Sequence, residues 1–142
     1  MDKEKYAVIR RIIESIPFHV WLGVHVPELA DGLAVLSLPF RPELVGDSRR
    51  PALHGGVLST LADAAGGTAV WTRCGAHDRL ATIDLRVDYL RPAPAEDLCA
   101  TGTVRLIGNR VGNAVVRITP AADPDLVLVE ARGVYNIRKT RE

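Results

Sequence analysis

The residues with the clearest chemical potential lie together in one short segment, HGGVLSTLAD, at positions 54–63. His54, Gly55 and Gly56 come before a run with helical periodicity, and the carboxylate of Asp63 follows Gly55 by eight residues. The first N–H groups of a helix lack intrahelical partners and carry partial positive charge, so this end can bind an oxyanion. A carboxylate and an oxyanion donor are the minimum equipment for acyl transfer.

The spacing between Gly55 and Asp63 limits how the two can cooperate. At ~1.5 Å per residue, eight residues span about 12 Å along one helix, which is too far for both groups to reach one carbonyl carbon. If they act together, Asp63 comes from a second, antiparallel copy of the helix at a twofold interface. The same residues also fit a plain start of a helix with a solvated carboxylate, and chemistry alone leaves both interpretations open.

A long helix over residues 54–73 must position these groups. Its periodicity gives one apolar face and one face of small or polar residues. The apolar face comprises Leu58, Leu61, Ala62, Ala65 and Ala69. The small face comprises Gly56, Ser59, Thr60, Asp63, Gly66 and Gly67. Glycine inside a helix costs roughly 0.5–1 kcal/mol relative to alanine, so adjacent Gly66 and Gly67 predict close packing on that face.

The remaining sequence predicts a second helix and an antiparallel sheet. Apolar residues at helical spacing predict an amphipathic helix over residues 2–16, which Pro17 ends, and we expect residues 18–29 to be extended. Asp31-Gly32 is typical of a hairpin turn before a strand at 33–38, and residues 39–53 are a predicted loop. Strands are predicted at 80–90, 98–107, 111–119 and 126–137. This pattern indicates an α+β fold with a helix packed on one sheet face.

Alternation within the predicted strand 80–90 assigns its side chains to two faces. One face carries Ile83, Leu85, Val87 and Tyr89, and the other carries Asp84, Arg86 and Asp88. We expect Phe18 and Trp21 to pack in the core rather than to line an acyl tunnel.

Composition excludes several classes of protein. With 142 residues, 47% hydrophobic and 25% charged, the chain is typical of one soluble globular domain. A net charge of +1 gives no support to binding of nucleic acid or of an anionic membrane, which would need a clear basic excess on one face. Two cysteines, Cys74 and Cys99, are too few for a disulfide framework, and no histidine has metal-ligand spacing with them. Without a signal peptide or an apolar run of ~20 residues, we expect a cytoplasmic protein.

The run LHGGVLSTLADAAGG resembles the signature of hotdog-fold thioesterases in the acyl-CoA thioesterase superfamily, specifically the phenylacetate-pathway (PaaI-like) type. LGVHVPELADGLAVLSL resembles the first hairpin of that family, ATIDLRVDYLRPAPAEDL its central strand and VLVEARGVYNI its closing strand. The resemblance implies one hotdog domain over residues 1–142, with an N-terminal helix at 1–16 and a core at 17–138. In this fold a curved antiparallel sheet wraps a long helix, and two subunits join their sheets edge to edge.

The resemblance also implies an activity, the hydrolysis of an acyl-CoA thioester to a free acid and CoA without a metal or cofactor. The Gly55 N–H polarises the thioester carbonyl, and His54 beside it helps to place the substrate. Asp63 of the other subunit acts as general base or as nucleophile. The expected assembly is therefore a homodimer or a homotetramer built as a dimer of dimers.

Further residues are assigned to substrate binding. Ser48 stands six residues before His54, where relatives often have Asn or Gln, and its shorter side chain has less reach. Gly56 leaves the backbone open beside Gly55, and Thr82 falls where some relatives place a hydroxyl that helps to hold water. For the CoA phosphates the candidates are Arg91, Arg110 and Arg138, since phosphate needs a placed positive charge.

Two alternative functions remain open at this point. An acyl-thioester hydratase or dehydratase uses the same fold, but it is expected to place a histidine and an acid differently. The other alternative is a non-catalytic module that binds or senses acyl-CoA. The spacing between the HGG run and Asp63 favours hydrolysis.

Overall fold

The computed structural model describes residues 2–140 and contains three α-helices and eight strands within that range. The helices are α1 (Asp2–Ser15), α2 (Pro17–Leu22) and α3 (Gly55–Trp71). The long strands are β5 (Arg79–Tyr89), β6 (Leu98–Ile107), β7 (Val111–Pro120) and β8 (Val129–Arg138). The shorter strands are β1 (His25–Ala30), β2 (Leu33–Leu38), β3 (Val45–Asp47) and β4 (Ala52–Leu53), with a 3₁₀ turn at Pro42–Leu44. No helix of this range is long and apolar enough to cross a membrane.

Six of the strands form one antiparallel sheet in the order β1-β2-β6-β7-β8-β5. The Asp31-Gly32 turn joins β1 to β2, as predicted, and Gly32 has a φ of +75° there. Helix α3 packs against the sheet, so the predicted α+β architecture is confirmed. Because β5 has a neighbour only on its β8 side, one row of its backbone groups is left at the edge of the sheet.

Both faces of α3 pack as the sequence pattern predicts. Every residue of its apolar face, from Leu58 to Ala69, is buried in the core. A Cβ added at Gly102 of β6 would collide with the backbone carbonyl of Ala65, so the helix lies directly on the sheet. Gly66 and Gly67 pack against the ring of Tyr135 from β8. The adjacent glycines therefore mark a close approach between α3 and the sheet.

Residues 17–22 correct one prediction, because they form the helix α2 instead of an extended segment. Pro17 is its first residue, where a fixed φ favours a helix, and Gly23 ends it at a φ of +83°. The helix buries His19 and Leu22 and leaves Phe18 and Trp21 on its other side. These two aromatic side chains are 52% and 53% exposed, so the prediction that they pack in the core is wrong.

A β-bulge corrects the predicted faces of β5. The register with β8 shifts between Thr82 and Asp84, and Ile83 is 58% exposed instead of sharing the half-buried face of Leu85. Such a bulge inserts one extra residue and reverses the alternation around it. The consequence is that Thr82 faces α3.

Candidate active site

The N-terminus of α3 presents one open backbone donor. His54 is the residue that caps the helix, and its Nδ1 atom accepts a hydrogen bond from the Gly56 N–H at 2.8 Å. Since Gly56 is engaged in this way, its N–H is not free for a substrate. The Gly55 N–H has no acceptor among residues 2–140. Gly55 thus supplies the donor at this end of the helix, where the helix dipole strengthens binding of negative charge.

Two neighbours fix the geometry around Gly55. The His54 N–H donates to the Leu44 carbonyl at 2.8 Å, which ties the start of α3 to the loop before it. The Tyr89 hydroxyl donates to the Gly55 carbonyl at 3.1 Å. Sequence reasoning missed Tyr89 as a site residue, because strand alternation marks its face but does not reveal that it reaches the helix terminus.

Asp63 is held by a side chain from another element. The Thr82 hydroxyl on β5 donates to the Asp63 Oδ1 atom at 2.8 Å. The β5 bulge turns Thr82 toward α3 and so allows this bond. The structure therefore brings together Asp63 and Thr82, two residues that the sequence assigned to the site separately.

Tyr135 is a second residue at the site that sequence reasoning missed. Its hydroxyl donates to the backbone carbonyl of Asp63 at 3.1 Å, and only 2% of its surface is exposed. Burial raises the pKa of Tyr135 well above its usual value, and the nearby Asp63 carboxylate raises it further. The adjacent Gly66 and Gly67 were the available sequence signal, since they predicted a close partner without identifying it.

A cavity of about 770 Å³ opens beside Asp63, along the small-residue face of α3. Its wall is mainly apolar and is contributed by α1, α2, α3, β5 and β8. The apolar and aromatic lining residues are Ile13, Ile16, Phe18, Ala64, Gly67, Trp71, Leu80, Leu85 and Tyr135. Asp63 and Thr82 stand among the polar residues of the lining. A mainly apolar cavity with a few placed polar groups is typical of a small-molecule site.

The structure separates the residues expected to bind CoA. Arg110 and Arg138 line one shallow cleft of about 450 Å³. Arg91 lies outside that cleft, where its guanidinium donates to the Val127 carbonyl. Ser48 is exposed in the turn between β3 and β4 and makes no hydrogen bond through its side chain within residues 2–140. Arg110 and Arg138 thus form a pair that Arg91 does not join.

Comparison with known proteins places these features in context. The family model of the thioesterase superfamily matches residues 51–127. The medium/long-chain acyl-CoA thioesterase YigI of Escherichia coli is 32% identical over 138 residues, covering 88% of each chain.

Solved structures share the fold. A protein from the thioesterase superfamily is 34% identical, has a TM-score of 0.87, and is matched over 95% of this chain and 99% of its own. The Escherichia coli PaaI protein from the phenylacetic acid degradation operon has a TM-score of 0.84 at 22% identity, with 98% and 96% of the two chains covered. These similarities confirm the hotdog fold that the sequence resemblance implied.

Proposed function

This chain belongs to the thioesterase superfamily and is a thioester hydrolase, and we propose that it hydrolyses acyl-CoA to a free acid and CoA at a site formed by Gly55 and Asp63. The observation that carries the proposal is the free Gly55 N–H at the start of the helix that also bears Asp63. Acyl transfer needs both an oxyanion donor and a base or nucleophile, and this helix offers one of each.

The acyl group is proposed to be a medium or long chain. The cavity beside Asp63 supports this, because its wall is mainly apolar and includes Ile13 of α1, Phe18 of α2 and Ile16 between the two helices. The YigI relative is named for the same class of acyl group. Burial of an alkyl chain contributes about 0.8 kcal/mol per CH₂ group, so an apolar wall of this extent favours a longer chain over acetyl.

The chemical steps follow from charge. As water or the carboxylate attacks the thioester carbon, negative charge develops on the carbonyl oxygen, and the Gly55 N–H and the helix dipole stabilise it. As general base, Asp63 takes a proton from the attacking water, the C–S bond breaks, and the departing CoA sulfur receives that proton. As nucleophile, Asp63 displaces CoA to form a mixed anhydride, which water then hydrolyses to the free acid and the carboxylate. Thr82 fixes one of the Asp63 carboxylate oxygens through the 2.8 Å hydrogen bond, which leaves the other oxygen for the reaction. His54 and Gly56 form the cap beside Gly55 and help to place the substrate.

The two catalytic groups are proposed to come from different subunits. Gly55 and Asp63 lie on one continuous helix, so about 12 Å separates them along the axis in a single chain. The edge strand β5 supports a homodimer, because its outer row of backbone groups can pair with the same strand of a second copy. A dimer of dimers would repeat this site without changing it.

The CoA phosphates are proposed to bind at the cleft of Arg110 and Arg138. Both guanidinium groups are exposed, and neither forms an ion pair among the described residues. They can therefore bind a diphosphate without first losing a carboxylate partner. Arg91 and Ser48 are secondary candidates for substrate binding. Arg91 offers a positive charge to a phosphate, and Ser48 offers a hydroxyl that can donate a hydrogen bond.

Thiol release from a series of acyl-CoAs, from acetyl- to palmitoyl-CoA, tests this function with a colorimetric thiol reagent. We expect the wild-type protein to prefer the longer chains, and Asp63→Asn to lose at least ~100-fold in turnover, the usual scale for a lost general base. Asp125→Asn is the matched control, because Asp125 is an exposed carboxylate in the loop between β7 and β8, away from β5 and from the cavity. Turnover of Asp63→Asn equal to that of Asp125→Asn would refute the role of Asp63, and no release from any acyl-CoA would indicate a binding module.

A further inference from the structure

Tyr135 reaches from β8 to the helical turn that carries Asp63. Its hydroxyl donates to the Asp63 carbonyl at 3.1 Å, and its ring lies on Gly67. A Cβ at Gly66 or at Gly133 would collide with the same hydroxyl. Glycines on α3 and on β8 therefore leave the space that this one side chain fills.

The hydroxyl holds the start of one helical turn. The Asp63 carbonyl lies four residues before Gly67, the separation that closes a turn of α-helix, and the Tyr135 hydroxyl donates to this carbonyl. Burial and the nearby Asp63 carboxylate both raise the pKa of Tyr135, so the hydroxyl keeps its proton, and with it this hydrogen bond, well above neutral pH.

Tyr135 and Thr82 hold Asp63 from two sides. The two residues stand directly opposite each other in the register of β5 and β8. Thr82 binds the carboxylate of Asp63, and Tyr135 binds its backbone carbonyl. A cross-strand pair on the sheet thus fixes both the side chain and the main chain of one helical residue.

We infer that Tyr135 is a positioning residue for hydrolysis, which together with Thr82 fixes the direction in which the Asp63 carboxylate faces the thioester. The inference rests on the proposed role of Asp63. The direction of this carboxylate is important because, in the proposed site, it acts on a thioester carbonyl bound at the other subunit. A displacement of about 1 Å can cost 10²-fold in rate. A hydroxyl anchored in the sheet limits such displacement.

Tyr135→Phe removes the hydroxyl and keeps the ring between α3 and β8. We expect kcat to fall about 10- to 100-fold while KM changes by less than about twofold, because the carboxylate is misdirected but the cavity is kept. Val116→Ala is the matched control, since Val116 is buried and also lies within reach of Gly66. It is expected to lower the melting temperature without a comparable loss of kcat.

Adding Tyr135→Phe to Asp63→Asn separates positioning from general stability. If Tyr135 acts through Asp63, the double variant has the same residual rate as Asp63→Asn. A second loss in the Asp63→Asn background, or an unchanged kcat in Tyr135→Phe alone, would overturn the inference. Full activity of Asp63→Asn would instead refute the proposed function, so the two failures are distinguishable.

Discussion

Two inactive variants, mixed in one solution, report whether the catalytic groups come from different subunits. The first is Gly55→Pro. Proline is favoured at the first position of a helix, and His54 before it has a ψ of 134°, within the range that a residue preceding proline adopts. The substitution therefore removes the Gly55 N–H and keeps the helix. The second variant is Asp63→Asn.

Gly55→Ala is the control for the first variant. Alanine and proline both add a Cβ, which at this position meets nothing closer than a Tyr89 ring carbon at 3.4 Å. Only proline deletes the N–H group. Loss of one oxyanion donor typically costs ~10²–10³ in rate, so we expect that loss in Gly55→Pro and near-normal turnover in Gly55→Ala.

The expected recovery on mixing follows from counting sites. With equal amounts and free exchange of subunits, about half of the dimers contain one copy of each variant. If each site takes Gly55 from one subunit and Asp63 from the other, every mixed dimer has one site with both substitutions and one site with neither. The mixture should therefore recover about a quarter of wild-type activity per subunit.

The assay is thiol release from the best acyl-CoA of the series, with exchange verified by co-purification of differently tagged subunits. The blank is each variant alone, taken through the same subunit-exchange procedure. If exchange is complete and activity stays at the blank, Gly55 and Asp63 act within one chain, and the argument from the length of α3 is wrong.

Two further predictions concern CoA binding and the contact between helix and sheet. Arg110→Gln and Arg138→Gln should each raise KM for acyl-CoA about 1.4- to 5-fold, because an exposed ion pair contributes about 0.2–1 kcal/mol. Turnover of an acyl-pantetheine lacking phosphates should not change, and an equal effect on it would refute phosphate binding at this cleft. Gly102→Ala should lower the free energy of unfolding by about 1–3 kcal/mol in denaturant titration, since its Cβ meets the backbone of α3. Gly108→Ala is its control, because the nearest atom there lies at 3.6 Å, and an equal loss in both variants would contradict this explanation.

The elements of the fold were predictable where apolar residues repeat with one period, helical or alternating, through a whole segment. The stripe from Leu58 to Ala69 predicts α3 and its buried face, and the structure confirms both. The strand after Asp31-Gly32 and the antiparallel pairing of the strands predicted at 98–107 and 111–119 are confirmed as well, because regular alternation runs through each of these strands. Local geometry determines these elements, so local sequence reveals them.

Residues 17–22 and β5 show where this reasoning fails. A six-residue segment contains too few turns for helical periodicity to appear, so the sequence predicts an extended segment where α2 forms. The bulge at β5 depends on its pairing with β8, and nothing within residues 80–90 marks the extra residue. Ile83 is therefore exposed where alternation predicted it beside Leu85.

The sequence by itself determined that the proposed oxyanion donor, the Gly55 N–H, and the carboxylate of Asp63 lie eight residues apart on one helix, and the fixed helical rise then sets their separation along the axis. The tertiary structure decided which side chains hold that carboxylate. Tyr135 is 72 residues away from Asp63 along the chain, and Thr82 is 19 away. They meet at Asp63 because β5 and β8 pair in one particular register and Tyr135 of β8 packs on the glycines of α3, a contact that no local pattern encodes.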